Sequence, residues 1–272
     1  MILLLKDKFR IIIHKITQPL SFPFRYYLKN AILQTGFQYG YHKKLSRLTD
    51  KSYDFERDKH PIRRKHHGKG GWSMQLNGEF HYRDYSSYDE YVTHQVQKLD
   101  EILKMGGFSN HTILTYRRTF YKRFNFLPRI LPKTANILCL GARQGTEVEV
   151  LRDIGYKNAM GIDLNPGPDN PWVVKGDFMS LDYDNRSLDM VYSNCIDHAF
   201  DINSFFQENA RVLKPNGIAI YDIAMQSGTG GGPFESVEWK SEETVFLAAL
   251  KHFNKVLRVD TDRAWKWILL QK

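Results

Sequence analysis

Gly141, Gly145 and Asp163 are the residues whose types and spacing point most directly to chemistry. The segment Asn136-Ile-Leu-Cys-Leu-Gly-Ala-Arg-Gln-Gly-Thr-Glu147 runs from a short apolar stretch into a turn closed by Gly145, and then into a helical pattern. Gly161-Ile-Asp-Leu164 follows as a second short strand, whose acid, Asp163, stands 22 residues after Gly141. A strand–turn–helix–strand unit of this layout binds a nucleoside. Its glycines let the backbone approach the ligand, the helix N-terminus offers free N–H groups, and the distant carboxylate accepts hydrogen bonds from ribose hydroxyls. Arg143 stands where such a turn usually has its central glycine.

The elements that must position these residues follow from the pattern around them. From Ala135 onward, short apolar strands at 136–140, 158–162, 172–175, 189–194 and 217–223 alternate with helices, which predicts a parallel sheet covered on both faces. The runs 254–259 and 264–270 are separated by only Asp260-Thr-Asp-Arg263, so the last two strands must form an antiparallel hairpin. Upstream, Ser87 and Glu90 have capping-box spacing, and Tyr88, Tyr91, Val92, Gln95, Leu99, Ile102 and Leu103 form a helical stripe ended by Gly106-Gly107. A second helix, basic and aromatic, is expected from about 112 to 126, before Pro128 and Pro132. The expected organisation is a basic, partly helical extension over 1–85, a helical cap or linker over 86–133, and the α/β domain over 134–272.

Charge divides the chain in the same way. Residues 1–70 hold 16 Lys/Arg against 5 Asp/Glu, whereas residues 71–272 hold 23 against 25, so the whole net charge of +9 belongs to the N-terminal quarter. A basic extension on a near-neutral domain suits an acidic partner such as membrane phosphates, nucleic acid or an anionic glycan. The first apolar run is interrupted after four residues by Lys6, Asp7 and Lys8, so it reads as neither a membrane span nor a signal peptide. Leu5, Phe9, Ile12, Ile13 and Ile16 do share one helical face, which would suit an anionic lipid surface or docking onto the protein's own core. His60, His66 and His67 lie among cations with no adjacent carboxylate or cysteine, which disfavours a metal site. The two cysteines, Cys139 and Cys195, form no spaced zinc pattern or disulfide framework and favour a reducing, cytoplasmic compartment.

Residues 134–272 resemble the catalytic domain of class I S-adenosylmethionine-dependent methyltransferases. Leu138-Cys-Leu-Gly-Ala-Arg-Gln-Gly145 is similar to the family's first motif, with Cys139 in place of an acid and Arg143 in place of a glycine. Asp163, Lys175-Gly-Asp-Phe178, Ser187 to His198 and Arg211-Val-Leu-Lys-Pro-Asn-Gly-Ile-Ala-Ile220 match later motifs in order. The resemblance implies a Rossmann-like, doubly wound, mostly parallel seven-stranded sheet with a C-terminal antiparallel hairpin, and S-adenosyl-L-methionine as methyl donor. It implies cofactor contacts by Gly141, Arg143, Gly145, Glu147, Asp163, Leu164, Asp177, Phe178 and Asn194. Asp177 would accept from the adenine amino group and Phe178 would offer a ring face. Glu147 would take over from the acid missing at Cys139.

The loop after the fourth strand faces the transferred methyl group in this family, which directs attention to His198 as general base and Asp197 as its alternative. Cys195 lacks the preceding proline of cytosine C5-methylating enzymes, and no Asn/Asp-Pro-Pro-aromatic signature for amino-group methylation occurs. Ser227 to Phe234 lacks the ending of a phosphate loop and reads as a lid or a plain surface loop. The expected acceptor is a hydroxyl on a small molecule or saccharide, with the aromatic residues of 116–124 available to stack on sugar and residues 1–20 in peripheral contact with an anionic membrane. Two rival readings are an RNA methyltransferase using the basic arm and a degenerate domain that serves as an interaction protein.

Overall fold

The computed structural model describes residues 75–77, 80–104, 110–167, 170–224, 233–239, 241–262 and 265–272. The amphipathic stripe of 1–20, the segment 60–71 with its three histidines, Gly106-Gly107 and the glycine run 227–232 lie outside the described residues.

The alternating pattern folds into strands β3 (Ile137–Leu140), β4 (Ala159–Asp163), β5 (Val173–Lys175), β6 (Leu188–Ser193), β7 (Leu213–Ala224), β9 (Lys255–Asp262) and β10 (Trp265–Gln271). They form one seven-stranded sheet in the order β5-β4-β3-β6-β7-β10-β9. The first five strands pair in parallel, and β10 runs antiparallel to both β7 and β9. β7 starts at Leu213 instead of 217, because Lys214-Pro-Asn-Gly217 stays in the strand through a register shift, with Asn216 at φ 62°. Pro215 and Gly217 hide that continuation from a reading by apolar pattern.

The period-two geometry of strands assigns alternate residues to opposite faces. Leu138, Leu140, Val191, Ala219, Tyr221, Ile268 and Leu270 face a core completed by α4 (Ile202–Val212) and α5 (Glu242–Ala249), through residues such as Phe205, Phe206 and Val245. Ile137, Cys139, Met190, Tyr192, Ile220, Trp267 and Leu269 face the other core, covered by α2 (Asn110–Phe124) and α3 (Thr146–Ile154). Both faces of the central strands are thus buried, as a parallel sheet requires, whereas the edge strand β9 stays exposed.

Helix α2 corrects one expectation from the sequence. Its rings are not free for sugar: Phe120 and Phe124 are buried, stacked on one another and set edge-on against Tyr192. Nor do its cations present a phosphate-binding face. Arg117 pairs with Glu149 and Asp153 on α3, and Arg123 Nε reaches both Asp222 oxygens at 2.7 and 2.9 Å beneath the sheet. The helix is a buried wall of the domain.

Helix α1 (Tyr88–Lys104) begins as the capping-box spacing predicts, with Ser87 Oγ accepting from the Glu90 N–H at 3.2 Å. The Glu90 carboxylate turns back to the Ser86 N–H at 2.6 Å. A small antiparallel sheet, in the order β1 (Gln75–Asn77), β2 (Phe80–Tyr82) and β8 (Val237–Trp239), was not evident from the sequence. It brings the chain that follows the glycine run back beside α1. Among the described residues no helix is long and apolar enough to cross a membrane.

Candidate cofactor and methyl-transfer site

The carboxyl ends of β3, β4 and β6 open onto a cleft. This is where an open α/β sheet places its ligands. The floor is built by the glycine turn. Gly141 sits at φ 65°, and a Cβ there would meet Cys195 Sγ at 2.3 Å, so a side chain at this position would have to displace the thiol. Gly145, at φ 71°, provides the left-handed residue that starts α3. Arg143 also adopts a positive φ, 43°. The turn therefore follows the path a glycine would take and carries an arginine at a strain cost of about 1–2 kcal/mol.

Asp163, the last residue of β4, locks that turn. Its Oδ2 accepts from the Arg143 N–H at 2.9 Å and its Oδ1 from the Asn165 N–H at 2.8 Å. Burial pushes its pKa up, against the lowering influence of Arg143 and of these backbone donors. Each oxygen keeps a further lone pair, so the carboxylate can still accept from vicinal hydroxyls. Leu164 and Phe178 line the cleft beside it.

Glu147 lies behind the floor, buried in the first turn of α3, and desolvation pushes its pKa up to about 8. Its charge adds to burial in raising the Cys139 thiol pKa, which puts the two side chains in one neighbourhood. An acid from the helix thus sits beside the strand position where the family usually has one. Asp177 is engaged on both oxygens: Oδ1 accepts from the Met179 N–H at 2.8 Å, and Oδ2 from the Tyr88 hydroxyl at 2.5 Å. Asn194 and Asp197 stand in the loop after β6, outside the residues that line the cleft.

The roof comes from α1, which supplies Tyr91, Gln95, Lys98 and Leu99 to the cleft. Asn165 Nδ2 pins the helix in place through the Val96 carbonyl and Asp100 Oδ1, both at 3.1 Å. Tyr91 donates to the His198 carbonyl at 3.1 Å. His198 itself lines the cleft, with protein partners on both ring nitrogens: Nδ1 lies 2.8 Å from the Phe234 carbonyl, and Nε2 lies 2.6 Å from Lys98 Nζ. Burial and the nearby Lys98 and Arg143 charges hold its pKa well below the ordinary value, so the ring is neutral. Asp197 Oδ1 is 3.9 Å from His198 Nε2. Desolvation, and then Arg143, push Lys98 down to about 8.

The structure therefore brings together Gly141, Arg143, Asp163, Leu164, Phe178 and His198 from the sequence reading, and adds Lys98, Gln95 and Tyr91. Nothing in the local sequence marked these three; they stand on a helix far upstream of the glycine turn. Phe234, the last residue of the expected lid, is buried and fixed by hydrogen bonds from Gln95 and His198.

The sheet order and the glycine–carboxylate cleft define a nucleoside-binding α/β domain of methyltransferase topology. Residues 138–221 match the sequence model of the family described as "Methyltransferase domain". Among solved structures, the chain is similar to 1,6-didemethyltoxoflavin-N1-methyltransferase of Burkholderia thailandensis, which holds 1,6-didemethyltoxoflavin and S-adenosylhomocysteine. That likeness has 15% identity and a TM-score of 0.55, and covers 72% of this chain and 97% of that one. It is also similar to a methyltransferase of Thermotoga maritima described as a possible histamine N-methyltransferase, with 15% identity and a TM-score of 0.50, over 66% of this chain and 100% of that one. No curated protein matches the sequence. Residues 138–221 thus carry the signature of a methyltransferase domain, on a fold shared with solved S-adenosylmethionine-dependent methyltransferases.

The residues present fit the cofactor: a turn with no side chain at Gly141, a carboxylate at the end of β4 and an aromatic wall at Phe178 all border one cleft. When bound, S-adenosylmethionine supplies an activated methyl group on a sulfonium. The chain's tasks are then to orient an acceptor and exclude water.

Proposed function

We propose that this methyltransferase acts on a hydroxyl of a small molecule or a saccharide. The observation that carries the reading is the basic pair of Lys98 and His198, set 2.6 Å apart under the α1 roof and both lining the cleft. A neutral amine can attack a methyl sulfonium with its own lone pair, whereas a hydroxyl gains from a base at the moment of attack. The roof of α1 also favours a small molecule or the end group of a larger one. The basic, amphipathic residues 1–20 suit an acceptor presented on an anionic membrane, such as a lipid-linked glycan.

Incubation with methyl-labelled S-adenosylmethionine and a fractionated cell extract tests the reading. Label on a hydroxyl oxygen of a small molecule or glycan is expected. Label in RNA would replace this reading with the one in which the basic arm binds phosphates. Flotation with anionic liposomes that is lost on removing residues 1–20 would support the membrane location; flotation unchanged by that truncation would overturn it.

A further inference from the structure

The atoms around His198 decide which group can receive a proton. The Phe234 carbonyl can only accept, so the Nδ1 beside it must carry the ring hydrogen. Gln95 agrees: its Nε2 donates to the Phe234 carbonyl and to Ser236 Oγ, which turns Oε1 toward Nδ1 at 3.1 Å as a second acceptor. A neutral ring protonated at Nδ1 has its one lone pair at Nε2, and that lone pair points at Lys98 Nζ at 2.6 Å. His198 has no free basic atom to offer an acceptor. Lys98 does: one N–H satisfies Nε2, which leaves the amine a lone pair for an acceptor, and the residue lines the cleft together with Gly141 and Cys195.

We propose that Lys98 is the general base of this enzyme and that His198 is a positioning residue that aims its amine. The inference rests on the hydroxyl-acceptor reading and names the group that performs its proton transfer. Lys98 enters the step as a neutral amine. As the acceptor oxygen forms its bond to the methyl carbon, Nζ takes the hydroxyl proton and becomes an ammonium. The carbon–sulfur bond breaks with its electron pair kept on sulfur, so the products are the methyl ether and S-adenosylhomocysteine, with the proton on Lys98.

The surroundings keep such an amine available near neutrality. Arg143 faces it from the turn after β3 and disfavours a second cation, as does the removal of Nζ from water. His94, on its own helix, is also within electrostatic reach. Asp163 at the end of β4, Cys195 and Asp197 after β6, and Glu235 before β8 act in the opposite direction when ionised. The balance puts the amine at about 8, so turnover should rise with pH through that value.

Two measurements test the proposal. The first needs no acceptor: competitive acetylation of the full chain with trace acetic anhydride, read on the Lys98 peptide by mass spectrometry from pH 6 to 11. Half-reactivity near pH 8 is expected; titration alongside the exposed lysines would overturn the proposal. The second compares Lys98→Met and Lys98→Arg, each with folding and cofactor-site integrity checked by S-adenosylhomocysteine calorimetry. Both should lose about 100-fold or more in turnover, because an arginine keeps the charge but cannot deprotonate. Recovery of turnover in Lys98→Arg would make the residue an anion-binding cation and overturn the base role. If the wild-type chain labels a hydroxyl and Lys98→Met does so equally, this inference fails and the acceptor reading stands. Label on nitrogen or in RNA overturns both.

Discussion

The Tyr88 hydroxyl donates to Oδ2 of Asp177 at 2.5 Å, so a residue of the roof helix already holds the carboxylate expected to receive the adenine amino group. The other carboxylate oxygen is fixed by the Met179 N–H at 2.8 Å. An incoming adenine amino group must therefore share Oδ2 with the tyrosine or displace it. Removing the hydroxyl removes that competition. Tyr88→Phe should tighten S-adenosylhomocysteine binding by about two- to tenfold, the worth of one ordinary hydrogen bond. Calorimetric affinity that is unchanged or weaker would show that Tyr88 does not compete for the adenine site.

Asp163, expected to hold the cofactor ribose, already anchors two backbone amides with the same carboxylate. Replacement by alanine would release the backbone of Arg143 and of Asn165 together with any ribose contact, so it mixes two effects. Asp163→Asn is the cleaner change, since its carbonyl oxygen retains one of the two backbone anchors. It should weaken S-adenosylhomocysteine by about tenfold or more, because hydrogen bonds to a charged acceptor are worth about 1.5–3 kcal/mol. The melting temperature should fall less than in Asp163→Ala. Equal affinity in wild type and Asp163→Asn would remove the assigned ribose role.

Strand order and the floor of the cleft were readable because their signals are local. Gly141, Asp163 and the β9–β10 hairpin each announce themselves within a few residues, through turn chemistry or strand period. The roof was not readable. Lys98 meets His198 across a hundred residues of chain, and helical spacing in α1 says which residues share a face, not which cleft that face covers. The burial of α2 was hidden for a related reason. Arg123 looks like a surface cation in the sequence, yet Asp222 of β7 meets it inside the domain, and only the fold brings those two together.

Glu147 gives the stability of the protein an unusual pH dependence. Burial holds its carboxyl neutral up to about pH 8 in the folded chain, whereas in the unfolded chain it ionises above about 4.3. Between those values the folded state binds more protons, so this residue's contribution declines as pH rises and levels off above about 8. Glu147→Gln cannot ionise and should lose this decline. Urea midpoints at pH 5 and pH 8 should show the variant gaining on wild type at the higher pH. An equal difference at both values would mean that Glu147 ionises normally in the fold.

The glycine turn makes a steric commitment that a double-mutant cycle can isolate. A methyl group at Gly141 would lie 2.3 Å from Cys195 Sγ, and the backbone there is at φ 65°. Gly141→Ala therefore carries two separate penalties: about 1–2 kcal/mol for the left-handed conformation, and the displacement of a thiol bonded to Ser193 Oγ at 3.3 Å and to the Leu140 carbonyl at 3.4 Å. Cys195→Ala removes the second penalty and leaves the first. Melting temperatures of the wild type, both single variants and the double variant should show Gly141→Ala costing markedly less in the Cys195→Ala background, with a residual loss from backbone strain. Strict additivity would mean that the two side chains never meet, and that the turn relaxes away from Cys195 when Gly141 is replaced.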